Sequence, residues 1–425
     1  MIRCVLIALI TLIMFLSPAM GQEFAVVDVR AYTMESEDVA EPIDNATILV
    51  RDGRIISVVA AGDVPDGVRT INGGNSIVTP GLFNAATKLG LQEMSGAPET
   101  VDYKSADSDL TVGFDPSLAV NQLSTAIVLA RADGMTNAFL TPNAGKDPLF
   151  GGYGAVIRLG GSRNIEVRAK AGVLAYVSGD YNRDGFGSRA VLWQRLRGEL
   201  TEARGELSCN KTGKKGDIGD LPLGKSNEKA LELVLCRTVP LVLFTDRESD
   251  LRQLIELASD YNIRSVVVGG AQAWQLADKL ADAEISVIVT PSVNIPSSFD
   301  EIGVRSDNIS ILNAAGVDVM IGQVAGNIGS TYNAGLGLRM EAATAVVEGL
   351  DWYEALRAVT VVPNRVFGSA DGAGTLVSGA PADFVLWSGD PFEASTNAHA
   401  VFVAGHEMPL ETRQDMLGQR YMQGQ

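Results

Sequence analysis

The sequence predicts a (β/α)8 barrel carrying a small β-sandwich built from both ends of the chain. Three observations carry that reading. The middle of the chain alternates short apolar strands with amphipathic helices, the pattern of a parallel sheet covered on both faces. Both ends hold short segments rich in β-branched residues and separated by turn signals. The length, 425 residues, suits one large barrel with an appendage, or two to three domains. The expected divisions are a leader at 1–21, sandwich segments at 22–80 and 365–425, and a barrel at 81–364.

Residues 1–21 have the grammar of a cleavable secretory signal. Arg3 supplies the positive end, Cys4 to Leu16 form an apolar run, and Ala19-Met20-Gly21 offers small residues for cleavage before Gln22. The run is too short for the ~20 residues of a spanning helix. The expected protein is exported, periplasmic or secreted, with no membrane attachment after cleavage. Cys209 and Cys236 then remain, and in an oxidising compartment they either form a disulfide or stay as two separate thiols.

From Phe24 to Pro80, FAVVDVRAYTM, ATILVRDGRIISVVAAG and TINGGNSIVTP read as strands, with Asp52-Gly53 as a hairpin turn. The C-terminal end repeats that grammar in GTLVSG, ADFVLWSG and AVFVAGHEM. Between them, strands are expected at 241–246, 265–270, 286–291 and 318–323. Leu251, Leu254, Ile255, Leu257 and Ala258 recur at helical spacing and predict an amphipathic helix over 248–261. The competing arrangement is an open doubly wound sheet. No G-x-G-x-x-G follows an early strand, which leaves nucleotide binding without support. The glycines of 151–154 and of 368–375 read as turn positions. Ser226 to Lys229 fits S-x-x-K but falls in an expected surface loop.

Composition limits the chemistry. The 34 basic and 51 acidic residues give a net charge of −17, which argues against nucleic acid as a partner. The chain holds two histidines, His399 and His406, so no three-histidine zinc centre can be built from it.

The stretch DNATILVRDGRIISVV through INGGNSIVTPGLFNAATKLG resembles the start of the amidohydrolase superfamily. In that family a sandwich segment runs into a "TPGLID-x-H-x-H" first barrel strand. EALRAVTVVPNRVFGSADGAGTLVSGAPADFVLWSGDPF is similar to the family's return from barrel to sandwich. PLVLFTDRESDLRQLIELASDYNIRSVVVGGAQAWQLADKL and FGGYGAVIRLGG resemble an imidazolonepropionase-like branch, with dihydroorotase among its relatives. The resemblance covers nearly the whole mature chain. It implies a hydrolase of non-peptide C–N bonds that uses zinc or another divalent metal.

The expected ligands are missing. The two first-strand histidines align with Ala86 and Lys88, the fifth-strand histidine with Phe244, and the sixth-strand histidine with Gly269. The eighth-strand aspartate, the general base on metal-bound water, falls near Val324. Such a metal lowers the pKa of its bound water to about 7, and neither Ala nor Phe can hold it. The expectation is therefore no metal cofactor, and a silent homologue serving as a binding protein or as partner of an active amidohydrolase or of itself. The alternative is a hydrolase with rebuilt chemistry. Its candidate groups at the barrel mouth are Lys88, Asp246 and Arg247, with Thr87, Thr290 and Gln323 beside them. Lys88 could serve as a base if burial lowered its pKa, and Asp246 could orient water. Competing with those roles, Lys88 fills vacated space while Asp246 and Arg247 cap a helix.

Overall fold

The computed structural model describes residues 23–36, 41–94, 96–161, 165–179, 187–205, 207, 209, 223–323 and 331–422. The leader at 1–21 and Val324 lie outside the described residues. The described chain forms an eight-stranded sheet curled into a nearly closed barrel and a separate seven-stranded sheet from both ends of the chain.

The small sheet contains β1 (Glu23–Ala31), β2 (Ile43–Arg51), β3 (Arg54–Ala60), β4 (Arg69–Pro80), β13 (Phe384–Trp387), β14 (Ala398–Val403) and β15 (His406–Glu407). Their order is β15-β14-β13-β4-β1-β2-β3. Asp52 and Gly53 turn β2 into β3 with φ of 52° and 73°, the positive angles a two-residue hairpin requires. The two ends of the chain meet where β13 pairs antiparallel with β4, Phe384 opposite Pro80 and Trp387 opposite Ile77. Phe24 on β1 stacks on Phe402 of β14 with ring centroids 5.1 Å apart. Those strands are three places apart in the sheet, which is roughly 14 Å if flat at ~4.8 Å per strand. The sheet is therefore curled tightly around its own core of Phe24, Ile48, Val78, Phe384 and Phe402. At the far edge, Ile55 N–H donates to Ala380 O at 2.9 Å and Ala382 N–H to Gly53 O at 2.9 Å, so the two edges of the curl nearly meet.

The barrel runs β5 (Leu82–Thr87), β6 (Met135–Leu140), β7 (Phe150–Arg158), β8 (Glu166–Tyr176), β9 (Leu241–Thr245), β10 (Ser265–Gly269), β11 (Ser286–Val289) and β12 (Val319–Ile321) in unbroken order. Gln323 N–H donates to Ala86 O at 3.1 Å and joins the last strand to the first. One strand departs from the parallel expectation, since β7 is antiparallel to both β6 and β8. The connections, residues 141–149 and 159–165, are shorter than the roughly dozen residues a parallel crossover needs. The glycines of 151–154 accordingly lie in β7 and not in a turn. A Cβ at Gly154 would sit 2.2 Å from the Phe139 ring, so glycine there admits a barrel-filling aromatic.

The helices include α1 (Thr125–Ala132), α2 (Arg189–Gly205), α3 (Leu223–Leu235), α4 (Glu248–Tyr261), α5 (Ala277–Asp282), α6 (Asn308–Ala314), α7 (Ala334–Val347), α8 (Trp352–Ala358), α9 (Val361–Val366) and α10 (Arg413–Met422). Helix α4 buries Leu251, Leu254, Leu257 and Ala258, the stripe read from the sequence. Full burial of each leucine is worth roughly 1.5–3 kcal/mol. Ser226 to Lys229 lies in α3, so the loop expected there is a helix. The apolar side chains that anchor it, Ala230, Leu231 and Val234, begin only after that tetrapeptide. Cys209 and Cys236 form a disulfide with Cα atoms 5.6 Å apart. Inside the barrel, Phe83, Phe139, Val242, Val266, Ile288 and Met320 form the core. Phe367, just after α9, stacks on Phe139 at 3.8 Å and stops one end.

Candidate functional site: the barrel mouth

The C-terminal ends of barrel strands face the mouth, where barrels of this kind place their sites. Thr87 ends β5 and Lys88 follows it. Phe244 is the penultimate residue of β9, Gly269 ends β10, and Thr290 and Gln323 follow β11 and β12. A cavity of about 410 Å³ opens there, lined among others by Lys88, Tyr176, Phe244, Asp246, Thr290 and Glu301.

The floor of this cavity is aromatic. Phe244 stacks on Tyr176 with centroids 4.3 Å apart and planes 15° from parallel. Tyr176 donates its hydroxyl to Pro142 O at 2.6 Å, which fixes the ring. Ala86 is fully buried beside them in the barrel core. Lys88 is only 6% exposed. Its Nζ lies over the Tyr103 ring, 5.0 Å from the centroid, a cation–π contact. Burial lowers the Lys88 pKa to about 8, because desolvation disfavours the charged amine.

Asp246 also lines the cavity. Its Oδ1 accepts Ala271 N–H at 3.1 Å, so the carboxylate braces the turn after β10. That turn contains Gly269 at φ +95° and Gly270 at φ +63°. A Cβ at Gly269 would lie 2.5 Å from Asp246 Oδ1. A histidine at this position would therefore collide with the aspartate and strain the backbone. Arg247 is exposed at the N-cap position of α4, without a side-chain capping bond, and does not line the cavity. Thr87 accepts Leu89 N–H at 3.2 Å, and Thr290 donates to Gly322 O at 2.6 Å. Gln323 Oε1 accepts from Asn84 Nδ2 at 3.4 Å. Thr290 and Gln323 thus tie neighbouring strands together, while Thr87 braces the turn that follows its own strand.

The structure adds residues that linear reading missed. Tyr176 closes β8, a buried strand whose one polar aromatic is the available sequence signal. Tyr103 sits in the long β5–α1 connection and Glu301 in the β11–α6 connection, with no linear pattern to mark either. Glu301 Oε2 accepts both Ser297 N–H at 2.6 Å and Ser297 Oγ–H at 2.8 Å, which shapes the rim. Arg305 forks onto Asp307 at 2.7 and 2.6 Å.

This donor set does not fit the divalent metal that the resemblance implies. Ala86, Phe244 and Gly269 offer no donor atom. Lys88 would have to shed its proton beside a cation. Among the described residues, no group of three or more His, Cys, Asp or Glu side chains is placed to hold a metal ion. His399 and His406 are exposed on β14 and β15 of the small sheet.

Comparisons agree on the fold. Residues 338–407 match the amidohydrolase family model. No curated protein matches the sequence. An amidohydrolase from Thermotoga maritima superposes with a TM-score of 0.78 at 21% identity, over 91% of this chain and 99% of that one. An adenosine deaminase from Xanthomonas campestris with bound zinc gives 0.52 at 15% identity, over 94% and 98%. N-isopropylammelide isopropylaminohydrolase from Burkholderia multivorans gives 0.50 at 16%, over 91% and 98%. Family and fold support a hydrolase. The barrel and its two-ended small sheet have the fold of these amidohydrolase structures, and residues 338–407 carry the sequence likeness to the family.

Proposed function

We propose that this protein uses the amidohydrolase barrel mouth to bind a small organic ligand without metal-dependent hydrolysis. The observation that carries this reading is the floor of the cavity. Ala86, Phe244 and Gly269 offer no ligand atom where the resemblance expects imidazoles, and a side chain at Gly269 would press on Asp246 and strain a backbone at φ +95°. A cavity of about 410 Å³ falls within the usual size of small-molecule sites. The leader-like residues 1–21 support export to the periplasm or medium. An active homologue or a second copy of the chain is the kind of partner a silent relative would serve.

The test is elemental analysis joined to turnover. Purified protein is expected to hold zinc, iron and manganese well below one equivalent. It is also expected to leave N-acyl amino acids, cyclic amides and dipeptides intact, with or without chelator. A full equivalent of metal removed only by chelator, with turnover lost alongside it, would overturn the proposal.

One observation favours a second reading, a hydrolase with rebuilt chemistry. A lysine with a pKa of about 8 is partly neutral near pH 7.5 and can accept a proton. Chelator-resistant turnover abolished by Lys88→Ala or Asp246→Asn would select this reading over the first.

A further inference from the structure

The mouth cavity has an unbalanced charge and several apolar lining residues. Lys88 is buried, lines the cavity, and has no carboxylate partner among the described residues. Its ammonium lies over the Tyr103 face. The other ionisable groups of the lining are engaged. Asp246 braces Ala271 N–H, Glu301 holds Ser297, and Arg305 is forked onto Asp307. A buried ammonium without a counter-ion is costly, and an anion entering the cavity would remove that cost.

Apolar side chains share the lining with polar ones: Val268, Val289, Val293, Val304 and Ile309 join Phe244 there. The β11–α6 connection, which gives Val293 and Val304 to the lining, also holds Ile295 at 78% and Phe299 at 89% exposure. A lone surface apolar side chain needs no explanation, but two large exposed ones on a connection that helps to line a cavity suit a binding rim.

We propose that the cavity takes an amphiphilic monocarboxylate. The carboxylate pairs with Lys88 Nζ, and the apolar body lies along the Phe244 ring toward Val293 and the exposed Ile295 and Phe299. The inference rests on the ligand-binding reading above and names the ligand class for the same cavity.

Titration calorimetry with octanoate, octanamide and propionate tests it. Octanamide keeps the chain and removes the charge, while propionate keeps the charge and removes the chain. Octanoate is expected to bind at least ten-fold more tightly than either. Lys88→Met is expected to bring octanoate down to the affinity of octanamide and to leave octanamide unchanged. Equal binding of octanoate and octanamide by the wild-type protein overturns the proposal, and that comparison needs no variant to fold. Full octanoate affinity in Lys88→Met overturns it as well. A stoichiometric metal with turnover would instead remove the metal-free reading and leave the charge preference to be read separately.

Discussion

At the scale of single residues, Lys88 is the group whose setting has measurable consequences. Its folded pKa of about 8 lies below the ordinary lysine value of 10.5. Between those two pH values the unfolded chain holds the proton that the folded chain has released, so stability rises with pH across that window. The shift corresponds to about 3 kcal/mol at ~1.4 kcal/mol per unit. Lys88→Met lacks this titration. The wild-type stability minus that of the variant is therefore expected to be flat below about pH 8 and to climb by a few kcal/mol toward pH 10.5 in urea melts. Asp246, Glu301 and Arg305, the other charged side chains lining the cavity, are present in both proteins, so the difference isolates the lysine. A flat difference throughout would mean that the amine is hydrated. The gathering of Lys88, Phe244 and Gly269 at one barrel mouth was legible in the sequence, because each stands at the close of an expected apolar strand. The Tyr176–Phe244 stack and the contact between Gly269 and Asp246 were not. They join residues from different strands, and no linear spacing encodes that distance.

At the scale of elements, legibility followed local periodicity. The β2–β3 hairpin and α4 were readable because a turn dipeptide and an apolar stripe are written within a few residues of each other. The direction of β7 was not, since a buried strand has the same composition whether it runs up or down. Only its short flanking connections decide the direction. The tetrapeptide Ser226 to Lys229 was misplaced for a related reason, as the polar start of α3 continues the composition of the lysine-rich stretch before it. The disulfide between Cys209 and Cys236 fastens the end of α3 to the residues beyond α2. The loop-closure relation for its sequence separation of 27 gives about 3–4 kcal/mol. Replacing both cysteines by serine is expected to lower the melting temperature by several degrees. Reductant should do the same to the wild-type protein and nothing further to the double variant. An unchanged melt would mean that the enclosed segment is already restrained without the bridge.

At the scale of the whole molecule, the two-ended sheet makes the C-terminal segment part of the foundation. Ending the chain at Ala380 removes β13 to β15, strips Phe384 and Phe402 from the small core, and uncovers the β4 edge. An exposed apolar edge is an aggregation site. That truncation is expected to move the protein into the insoluble fraction, whereas removing α10, which buries no residue, should leave it soluble. Recovery of soluble, cooperatively melting protein from the truncation at Ala380 would contradict the shared core. The pairing of β4 with β13 also sets the order of events at synthesis. About 300 residues separate Pro80 from its partner Phe384, some fifteen seconds or more at roughly 5–20 residues per second. Throughout that interval the newborn chain carries half a sheet with an open edge. The last strands to be made thus act as the latch, and a molecule cut short at any point in the barrel never closes.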